Sequence, residues 1–386
     1  MQIGVLIPRI SLGGASKVAL NQVKYFRAAG FNAYLLTLAS EKVRSVPHRV
    51  IGIGAHIKAP FLRTSIPMLI STIWGLYLNH PRVDILIAHG LSSITALRLK
   101  EKYNIPYITY IHHPNAFLYG KSIHPKEEES TLGPLSRYPL KILWNKRTLA
   151  YLDIKSIKES LCVLTNSRYV LGKLNELYGN ITAKVCYPAI DNDYHRVKPR
   201  LECKEDLAVY VSRHVIQKGL HLIPIILSKV ESKITLILAG KPTKLTRIVI
   251  EKIHRLGLRK RVIIRTNMSK NDLIKTYIRA KILLFPAIKE DFGISPIEGM
   301  ATGAIPVAWK DGGGVEETIV NFRTGLLASP YDINDYARKM DLLITDKKLY
   351  SRMVYNAKAF SRNFSWEKHV RTILEIIRDI SMFCCK

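Results

Sequence analysis

Short apolar runs alternate with longer segments of helical periodicity along almost the whole chain. Uninterrupted apolar runs are typical of parallel strands, because such strands are buried on both faces. Strands that alternate with helices in this way are the pattern of α/β proteins. The sequence therefore predicts parallel sheets with helices between their strands.

The alternation occurs in two blocks. The predicted strands of the first block are Ile3–Pro8, Ala33–Leu38, Asp84–His89, Ile108–His112 and Cys162–Asn166. Those of the second block are Ala208–Val211, Thr235–Ala239, Val262–Arg265, Ile282–Phe285 and Pro306–Ala308. Because 386 residues exceed the usual size of one domain, two successive doubly wound domains explain the pattern better than one large sheet.

The charged stretch between the blocks, 191–205, is the predicted linker. It separates a first Rossmann-like domain, residues 1–190, from a second, residues 206–365. Residues 119–150 break the alternation of the first domain, and we interpret them as an insertion or lid.

Charge adds information about partners. The chain carries 59 basic and 30 acidic side chains, a formal net charge of +29. The excess is spread along the chain, which argues against a basic tail that binds nucleic acid. A generally positive surface suits polyanions, anionic lipid headgroups or a phosphorylated substrate. Residues 1–112 hold 13 basic and 3 acidic side chains, which favours a first domain that lies on an anionic membrane.

Cysteine usage and hydropathy bear on the location of the protein. The five cysteines include no CxxC pair, so we expect neither a disulfide framework nor a zinc site. The apolar run Ile66–Leu78 is shorter than the ~20 residues of a spanning helix. The sequence therefore predicts a cytoplasmic protein, either soluble or peripheral at the inner face of a membrane.

The most informative segment follows the predicted strand that ends at Phe285. Gly293 lies in a loop after this strand, and Pro296 suits the first turn of a helix. Backbone N–H groups and the positive end of a helix dipole meet at such a point, which predicts a site for an anion, most naturally a phosphate. Glu290 and Glu298 flank this site, where carboxylates would hold neutral donors such as sugar hydroxyls. A second interpretation, in which Glu298 only stabilises its helix, stays open.

Polar residues and glycines also follow other predicted strands. Arg213 and Lys218 come after the first strand of the second block, where fixed cations are well placed for a diphosphate. By themselves, such cations are more often only solvated. Gly13 and Gly14 open the first helix and can bring bare backbone close to a ligand. His112 ends a strand, and a structural histidine is the alternative interpretation there.

Taken in order, these motifs resemble the retaining glycosyltransferases of family four, the group 1 glycosyl transferases. The segment from Glu290 to Glu298 is similar to that family's E-x7-E signature. Arg213 and Lys218 are similar to its diphosphate-binding Arg and Lys. Other short motifs that are similar to those of the family are Gly313-Gly-Val-Glu-Glu317, Tyr187-Pro188 and Thr165-Asn-Ser167.

The resemblance covers nearly the whole chain and implies the GT-B architecture, two Rossmann-like domains that face each other across a cleft. The first domain would recognise the acceptor and the second would bind a nucleotide sugar. The last helix, in residues 366–386, would cross back to the first domain. Two features depart from the family: Gly299 stands where Ala is usual, and the insertion at 119–150 matches nothing in it.

The resemblance also implies roles for the candidate residues. The predicted reaction transfers a hexose from a UDP- or GDP-linked donor to a saccharide or lipid-linked saccharide, with retention and with neither a metal nor another cofactor. The predicted catalytic residues are His112, Arg213, Lys218 and Glu290. The predicted donor-binding residues are Gly13, Gly14, Phe292, Gly293, Ile294, Ser295 and Glu298.

Other classes fit less well. A nicotinamide dehydrogenase is disfavoured because Gly52-Ile-Gly54 lacks the third glycine of the dinucleotide motif. A metal-dependent glycosyltransferase would use a DxD motif, but Asp191-Asn-Asp193 lies in the predicted linker and is interpreted as a turn. Two alternatives stay open. One is a GT-B epimerase or phosphorylase, and the other is a basic membrane- or nucleic-acid-binding protein on an inactive GT-B scaffold.

Overall fold

The computed structural model describes residues 1–10, 13–38, 45–51, 80–119, 146–179 and 181–384. The chain forms two compact units: Met1–Pro188 together with Trp366–Lys386, and Ala189–Ser365. The apolar run 66–78 and most of the predicted insertion lie outside the described residues.

The first unit is built on a parallel sheet. In the described residues its strands are β1 (Gln2–Ile7), β2 (Asn32–Thr37), β3 (His48–Val50), β4 (Ile85–His89), β5 (Tyr107–Ile111), β6 (Val163–Thr165) and β7 (Ala183–Val185). Their order across the sheet is β3-β2-β1-β4-β5-β6-β7. The chain reverses direction across the sheet between β1 and β4, so this pair marks the switch point of the first unit.

The second unit repeats the plan. Its described strands are β8 (Glu205–Val211), β9 (Thr235–Gly240), β10 (Val262–Thr266), β11 (Ala280–Phe285), β12 (Ile305–Trp309) and β13 (Leu326–Ala328). They are parallel and lie in the order β10-β9-β8-β11-β12-β13. The switch point falls between β8 and β11, the two strands whose loops carry the predicted diphosphate site.

Helices connect the strands of both units. Those of the first unit are Gly14–Ala28, Ser92–Tyr103, Lys146–Lys158, Arg168–Tyr178 and Trp366–Cys384. Those of the second unit are Asn192–Arg196, Ile223–Lys229, Lys244–Arg255, Lys270–Arg279, Ile294–Thr302, Ile333–Thr345 and Lys347–Ser361. The strands are apolar runs because they are covered: every residue of β4, β5 and β12 is buried.

The last helix belongs to the first unit. Trp366 is fully buried and its ring stacks on that of Tyr25, with centroids 6.0 Å apart. Burial of an aromatic side chain of this size stabilises the contact between the last helix and the first helix of the chain.

The predicted linker 191–205 belongs to the second unit and contains the helix Asn192–Arg196. Two of its acidic residues, Asp191 and Asp193, form ion pairs with one lysine. Lys270 Nζ lies 2.9 Å from a carboxylate oxygen of Asp191 and 2.6 Å from one of Asp193. This pairing over a long sequence separation ties the segment to the helix that begins at Lys270.

A partly buried lysine, Lys204, holds the ends of two helices of the second unit. Lys204 Nζ donates to the backbone carbonyls of Tyr277 at 3.1 Å, Ala280 at 2.9 Å and Thr302 at 3.0 Å. The helices Lys270–Arg279 and Ile294–Thr302 end at these residues. The last carbonyls of a helix have no partner within the helix, and they carry its partial negative charge. One ammonium group therefore satisfies both helix ends.

We predict that Lys204→Met destabilises the second unit, because three buried carbonyls lose their donor. A loss of about 2 kcal/mol corresponds to a urea midpoint lower by roughly 1 M, measured by fluorescence of the buried Trp309. Lys275→Met, at an exposed lysine of the helix Lys270–Arg279, is the control and should change the midpoint little. Equal midpoints for the two variants would contradict this role of Lys204.

Candidate functional site

An ion pair joins the two loops that leave the switch point of the second sheet. Lys218 follows β8, Glu290 follows β11, and their side chains meet with Nζ 2.5 Å from Oε2. They retain only 22% and 13% of their side-chain exposure. In parallel α/β sheets ligands bind outside the carboxyl ends of the strands at this position. The two charged residues therefore lie where the fold places a ligand.

Glycine makes the close approach of these loops possible. Gly219 has φ of +68°, and a Cβ there would lie 1.9 Å from the backbone oxygen of Pro286. A backbone bond from the Ile288 N–H to the Gln217 carbonyl, 3.0 Å long, joins the same two loops. A side chain at position 219 cannot be accommodated without moving one loop away from the other.

Buried side chains also hold the backbone of the loop after β8. The buried hydroxyl of Tyr210 lies 3.2 Å from the carbonyl oxygens of both Arg213 and Lys218. His214, which lies between Arg213 and Lys218 in the sequence, is fully buried, and its Nδ1 lies 3.0 Å from the hydroxyl of Thr246. The backbone of this loop is thus fixed, whereas the side chain of Arg213 is exposed.

The helix after the second loop begins as predicted at a glycine. Gly293 precedes the helix Ile294–Thr302 with φ of +85° and ψ of 84°. The hydroxyl of Ser295 donates to the carbonyl of Val211, the last residue of β8, at 3.1 Å. The first N–H groups of a helix have no acceptor within it and carry its positive dipole end. This bond places that end beside the carboxyl end of β8.

Glu298 lies in the same helix and is 5% exposed. The hydroxyl of Tyr277 donates to its Oε2 at 3.3 Å. Burial, and then the charge of Glu298, raises the pKa of Tyr277 and of Tyr194. Both phenols therefore keep their protons, and Tyr277 acts as a donor to this carboxylate. This contact joins two helices and differs from the helix-stabilising role that the sequence left open, because Glu298 lies beyond the first turn of its own helix.

The glycine-rich stretch after β12 packs against Glu290. The N–H of Gly314 donates to the Glu290 carbonyl at 2.7 Å, and a Cβ on Gly313 would lie 3.0 Å from the Glu290 backbone. Asp311 is 6% exposed and accepts from the N–H of Lys289 at 2.7 Å. Asp311 is a supporting residue that the sequence analysis missed, because no spacing relates it to the loop that it holds.

Phe292 is buried in the second unit. Its ring packs edge-on against Phe364, with centroids 5.7 Å apart. Seven of the eleven predicted site residues thus share the switch-point loops and the first turn of the adjoining helix: Arg213, Lys218, Glu290, Phe292, Gly293, Ile294 and Ser295. Glu298 lies one helical turn further on.

The remaining predicted residues belong to the first unit. Gly13 precedes the helix Gly14–Ala28, which follows β1. His112 follows β5, and its Nε2 lies 2.8 Å from Nδ1 of His89, the last residue of β4. Parallel strands bring these residues to the carboxyl edge of the first sheet. His89 is 3% exposed.

The carboxylates of the DxD-like segment Asp191-Asn-Asp193 form ion pairs with a lysine of the second unit. Asp191 and Asp193 share the ammonium group of Lys270. Within the described part of the chain, no three His, Cys, Asp or Glu residues are grouped so that they could hold a metal ion. The same residues include no helix long and apolar enough to cross a membrane.

The two sheets and their strand orders define the class of fold. Each unit is a doubly wound α/β domain, and together they give the GT-B fold. Sucrose-phosphate synthase from Thermosynechococcus elongatus matches with a TM-score of 0.78 and 17% identity, over 100% of each chain. Anabaena HepE in complex with UDP and glucose matches with a TM-score of 0.75 and 18% identity, over 98% of this chain and 100% of that one.

The matches to protein-family models agree with the fold. Residues 191–360 match Glycosyl transferases group 1, and residues 12–194 match Glycosyltransferase Family 4. An uncharacterised glycosyltransferase of Methanocaldococcus jannaschii is 24% identical over 391 residues, 98% of each chain. The chain belongs to the glycosyltransferases of family four, which confirms the prediction made from the ordered motifs. It is therefore a glycosyltransferase.

We predict that Gly219→Ala separates the two switch-point loops, because its Cβ meets backbone rather than a flexible side chain. Hydrogen exchange at Ile288 should increase, since its N–H loses the Gln217 carbonyl. Gly257→Ala is the matched control, with φ of +70° but no atom within 4 Å of the added Cβ. The control should lower the free energy of unfolding by about 1 kcal/mol, because alanine is strained in the left-handed region. It should leave hydrogen exchange at Ile288 unchanged. Equal exchange in the two variants would show that the contact with Pro286 does not hold the loops.

Proposed function

We propose that the protein transfers a hexose from a UDP- or GDP-linked donor to a saccharide or lipid-linked saccharide, with retention and without a metal. The ion pair of Lys218 and Glu290, beside a glycine-started helix, is the observation that carries this proposal. It places a cation, a carboxylate and helix N–H groups at one edge of the second sheet. A sugar diphosphate presents the matching groups, an anion with hydroxyls on each side.

The diphosphate is assigned to the cations and the helix start. Lys218 is fixed by its loop and Arg213 is exposed beside it, so both can contact phosphate oxygens. The N–H groups of Ile294 and Ser295 complete the anion site, because the dipole of their helix favours negative charge there. Preorganised cations of this kind stabilise the charge that develops on the departing phosphate.

The carboxylates are assigned to hydroxyl groups. Lys218 neutralises Glu290, so this carboxylate can lie beside a diphosphate and accept from a hexose hydroxyl. Glu298 is assigned to the ribose hydroxyls, with Tyr277 orienting the carboxylate. His112 of the first unit is assigned to the hexose, and Gly13 and Gly14 to close backbone contact with the donor.

The reaction then needs no covalent intermediate on the protein. The bond from the anomeric carbon to the β-phosphate oxygen breaks, and the electron pair stays on the phosphate. The acceptor oxygen bonds to the same face of the oxocarbenium-like sugar and gives its proton to the leaving phosphate. Retention follows from attack on the face that the phosphate leaves. A UDP-hexose is supported as donor by the Anabaena neighbour, which was solved with UDP and glucose.

A transfer assay separates this proposal from its alternatives. UDP-glucose and GDP-mannose are first compared by thermal shift, and the better ligand is incubated with and without saccharide acceptors. A transferase releases UDP or GDP at a rate that rises with acceptor concentration. Consumption of the nucleotide sugar at the same rate without acceptor would favour an epimerase, and binding of neither compound would favour an inactive scaffold.

We predict that Lys218→Ala and Arg213→Ala each lower turnover by roughly tenfold or more, about 1.4 kcal/mol of transition-state stabilisation. Lys233→Ala removes an exposed lysine of the same unit and is the control for net charge. Initial rates of UDP or GDP release measure the effect. An equal loss of rate in all three variants would mean that the net charge of the unit, and not contact with the diphosphate, sets the rate.

We predict that turnover persists in EDTA, because Arg213 and Lys218 supply the positive charge that a divalent ion supplies in metal-dependent enzymes. Rates are measured after dialysis against EDTA and after addition of Mg²⁺ or Mn²⁺. Activity that disappears in EDTA and returns with the metal would refute the metal-free scheme.

We predict that the first unit adsorbs to anionic membranes through its positive charge. Lys141 and Trp144, which we assign to this surface, lie outside the described residues, as does the side chain of Lys146; Arg147 is exposed. The protein should sediment with anionic but not zwitterionic vesicles at low salt and dissociate near 1 M salt, where screening shortens to ~3 Å. Changing Lys141, Lys146 and Arg147 to Glu should weaken binding. Equal sedimentation with both vesicle types would leave a soluble saccharide as the acceptor.

A further inference from the structure

The positive excess of the second unit is concentrated in one segment, residues 241–266. This segment holds nine basic side chains and one acidic side chain, whereas the rest of the unit, residues 189–240 and 267–365, holds 22 and 17. It consists of the loop after β9, the helix Lys244–Arg255, a short turn and β10. Among the described strands β10 is the last of its sheet, so the segment forms one edge of the unit. We call residues 241–266 the basic edge.

The helix of the basic edge presents its charges to solvent. Its buried residues are Thr246, Val249 and Ile253. Arg247, Ile248 and Arg255 are exposed, and helical periodicity places them on the side away from the buried residues. Within the described part of the chain, neither arginine forms an ion pair. Ile248 is 56% exposed between these cations.

One basic side chain of the segment points inward and anchors the turn. Arg261 donates through Nε to the Ile234 carbonyl at 3.1 Å and through Nη2 to the Ser232 carbonyl at 3.0 Å. Arg261 is the last residue of the turn, and the two residues before it, Arg259 and Lys260, are exposed. The bonds of Arg261 therefore fix the backbone from which these two cations extend.

β10 has more exposed residues than any other described strand. None of its five residues is buried, and Ile263 and Ile264 are 42% and 37% exposed. Successive side chains of a strand point to opposite faces, so apolar surface is exposed on both faces of this edge. Leu256, which follows the helix, is also 42% exposed. The basic edge thus combines exposed cations with four exposed aliphatic side chains.

Protection of the sheet edge explains only part of this composition. Charged side chains on an edge strand prevent pairing with other chains, and Arg265 is the one basic residue of β10. The other eight basic residues lie before the strand, in the loop, the helix and the turn. Exposed isoleucines on an edge favour pairing and do not prevent it. Both observations indicate a partner that offers negative charge together with apolar surface.

An anionic lipid bilayer offers both. Its headgroups attract lysine and arginine, and aliphatic side chains enter the boundary between headgroups and acyl chains. A nucleic acid fits less well, because single-stranded bases stack on aromatic side chains and residues 241–266 contain no Phe, Tyr or Trp. Contacts to phosphates alone would also leave the four aliphatic side chains without a role.

We propose that the basic edge binds the surface of an anionic lipid bilayer. Its cations contact the headgroups, and Ile248 and the neighbouring aliphatic side chains enter between them. This contact differs from adsorption through the first unit, since it belongs to residues of the second. It rests on the proposed function in one respect: the bilayer would hold the lipid-linked saccharide that serves as acceptor.

Sedimentation of the full chain with vesicles of phosphatidylglycerol and phosphatidylcholine tests the proposal without donor or acceptor. Arg247→Glu combined with Arg255→Glu should weaken binding by roughly tenfold or more, because cations near an anionic surface each add to the attraction. The matched control is Lys348→Glu combined with Arg352→Glu, an equal change of charge at exposed residues of the helix Lys347–Ser361. The control should retain most of the binding. Equal weakening in both double variants, or no binding of the wild type, overturns the proposal.

A tryptophan placed in the basic edge reports the contact directly. The emission of Ile248→Trp should shift to shorter wavelength with anionic vesicles and be quenched by brominated lipid, since the side chain enters an apolar environment. Tyr355→Trp, at a residue that is 69% exposed on the helix Lys347–Ser361, should show neither effect. Subtraction of the wild-type spectrum removes the signal of the four native tryptophans. An unshifted Ile248→Trp spectrum in vesicle-bound protein overturns the proposal, because another surface would then hold the membrane.

The tryptophan variants also decide the question if the double variant with Arg247→Glu does not fold, because they change single exposed side chains. Binding to a single-stranded oligonucleotide without binding to vesicles would overturn the proposal in favour of a nucleic-acid surface. Vesicle binding by a wild type that turns over no nucleotide sugar would count against the proposed function alone, since sedimentation needs no donor.

Discussion

The ion pair between Lys218 and Glu290 is the contact on which the candidate site depends. It forms only because two loops from neighbouring parallel strands approach closely, and Gly219 allows this by leaving room for the Pro286 carbonyl. The pair also solves an electrostatic problem. A carboxylate can take part in binding a diphosphate sugar when a cation beside it cancels its charge.

The surroundings of the pair fix backbone more than side chains. Tyr210 holds the first loop, Asp311 and Gly314 hold the second, and Ser295 ties the helix start to β8. At the other end of the same helix, Lys204 and Lys358 donate to the carbonyls of Thr302 and Ala301. The helix is therefore fixed at both ends, as expected where its N-terminal groups are to be preorganised for an anion.

The sequence predicted most of the fold because buried parallel strands are uninterrupted apolar runs. The ten predicted strands correspond to structural strands whose ends differ by a few residues. Among the described strands, β3, β7 and β13 were missed; β3 and β7 contain no buried residue, so they lack the apolar run that marks a buried strand. Local motifs such as Gly293 before Pro296 were readable because helix starts have sequence rules. Contacts such as Tyr277 with Glu298 were not, since they depend on which helices pack together.

A crystal structure with UDP or GDP, whichever binds more tightly, tests the central claim most directly. We predict phosphate oxygens within hydrogen-bond distance of Lys218 Nζ, of the Arg213 guanidinium and of the N–H groups of Ile294 and Ser295. We also predict the ribose hydroxyls at Glu298. A nucleotide bound in another place, or one whose phosphates point away from Lys218, would contradict the account.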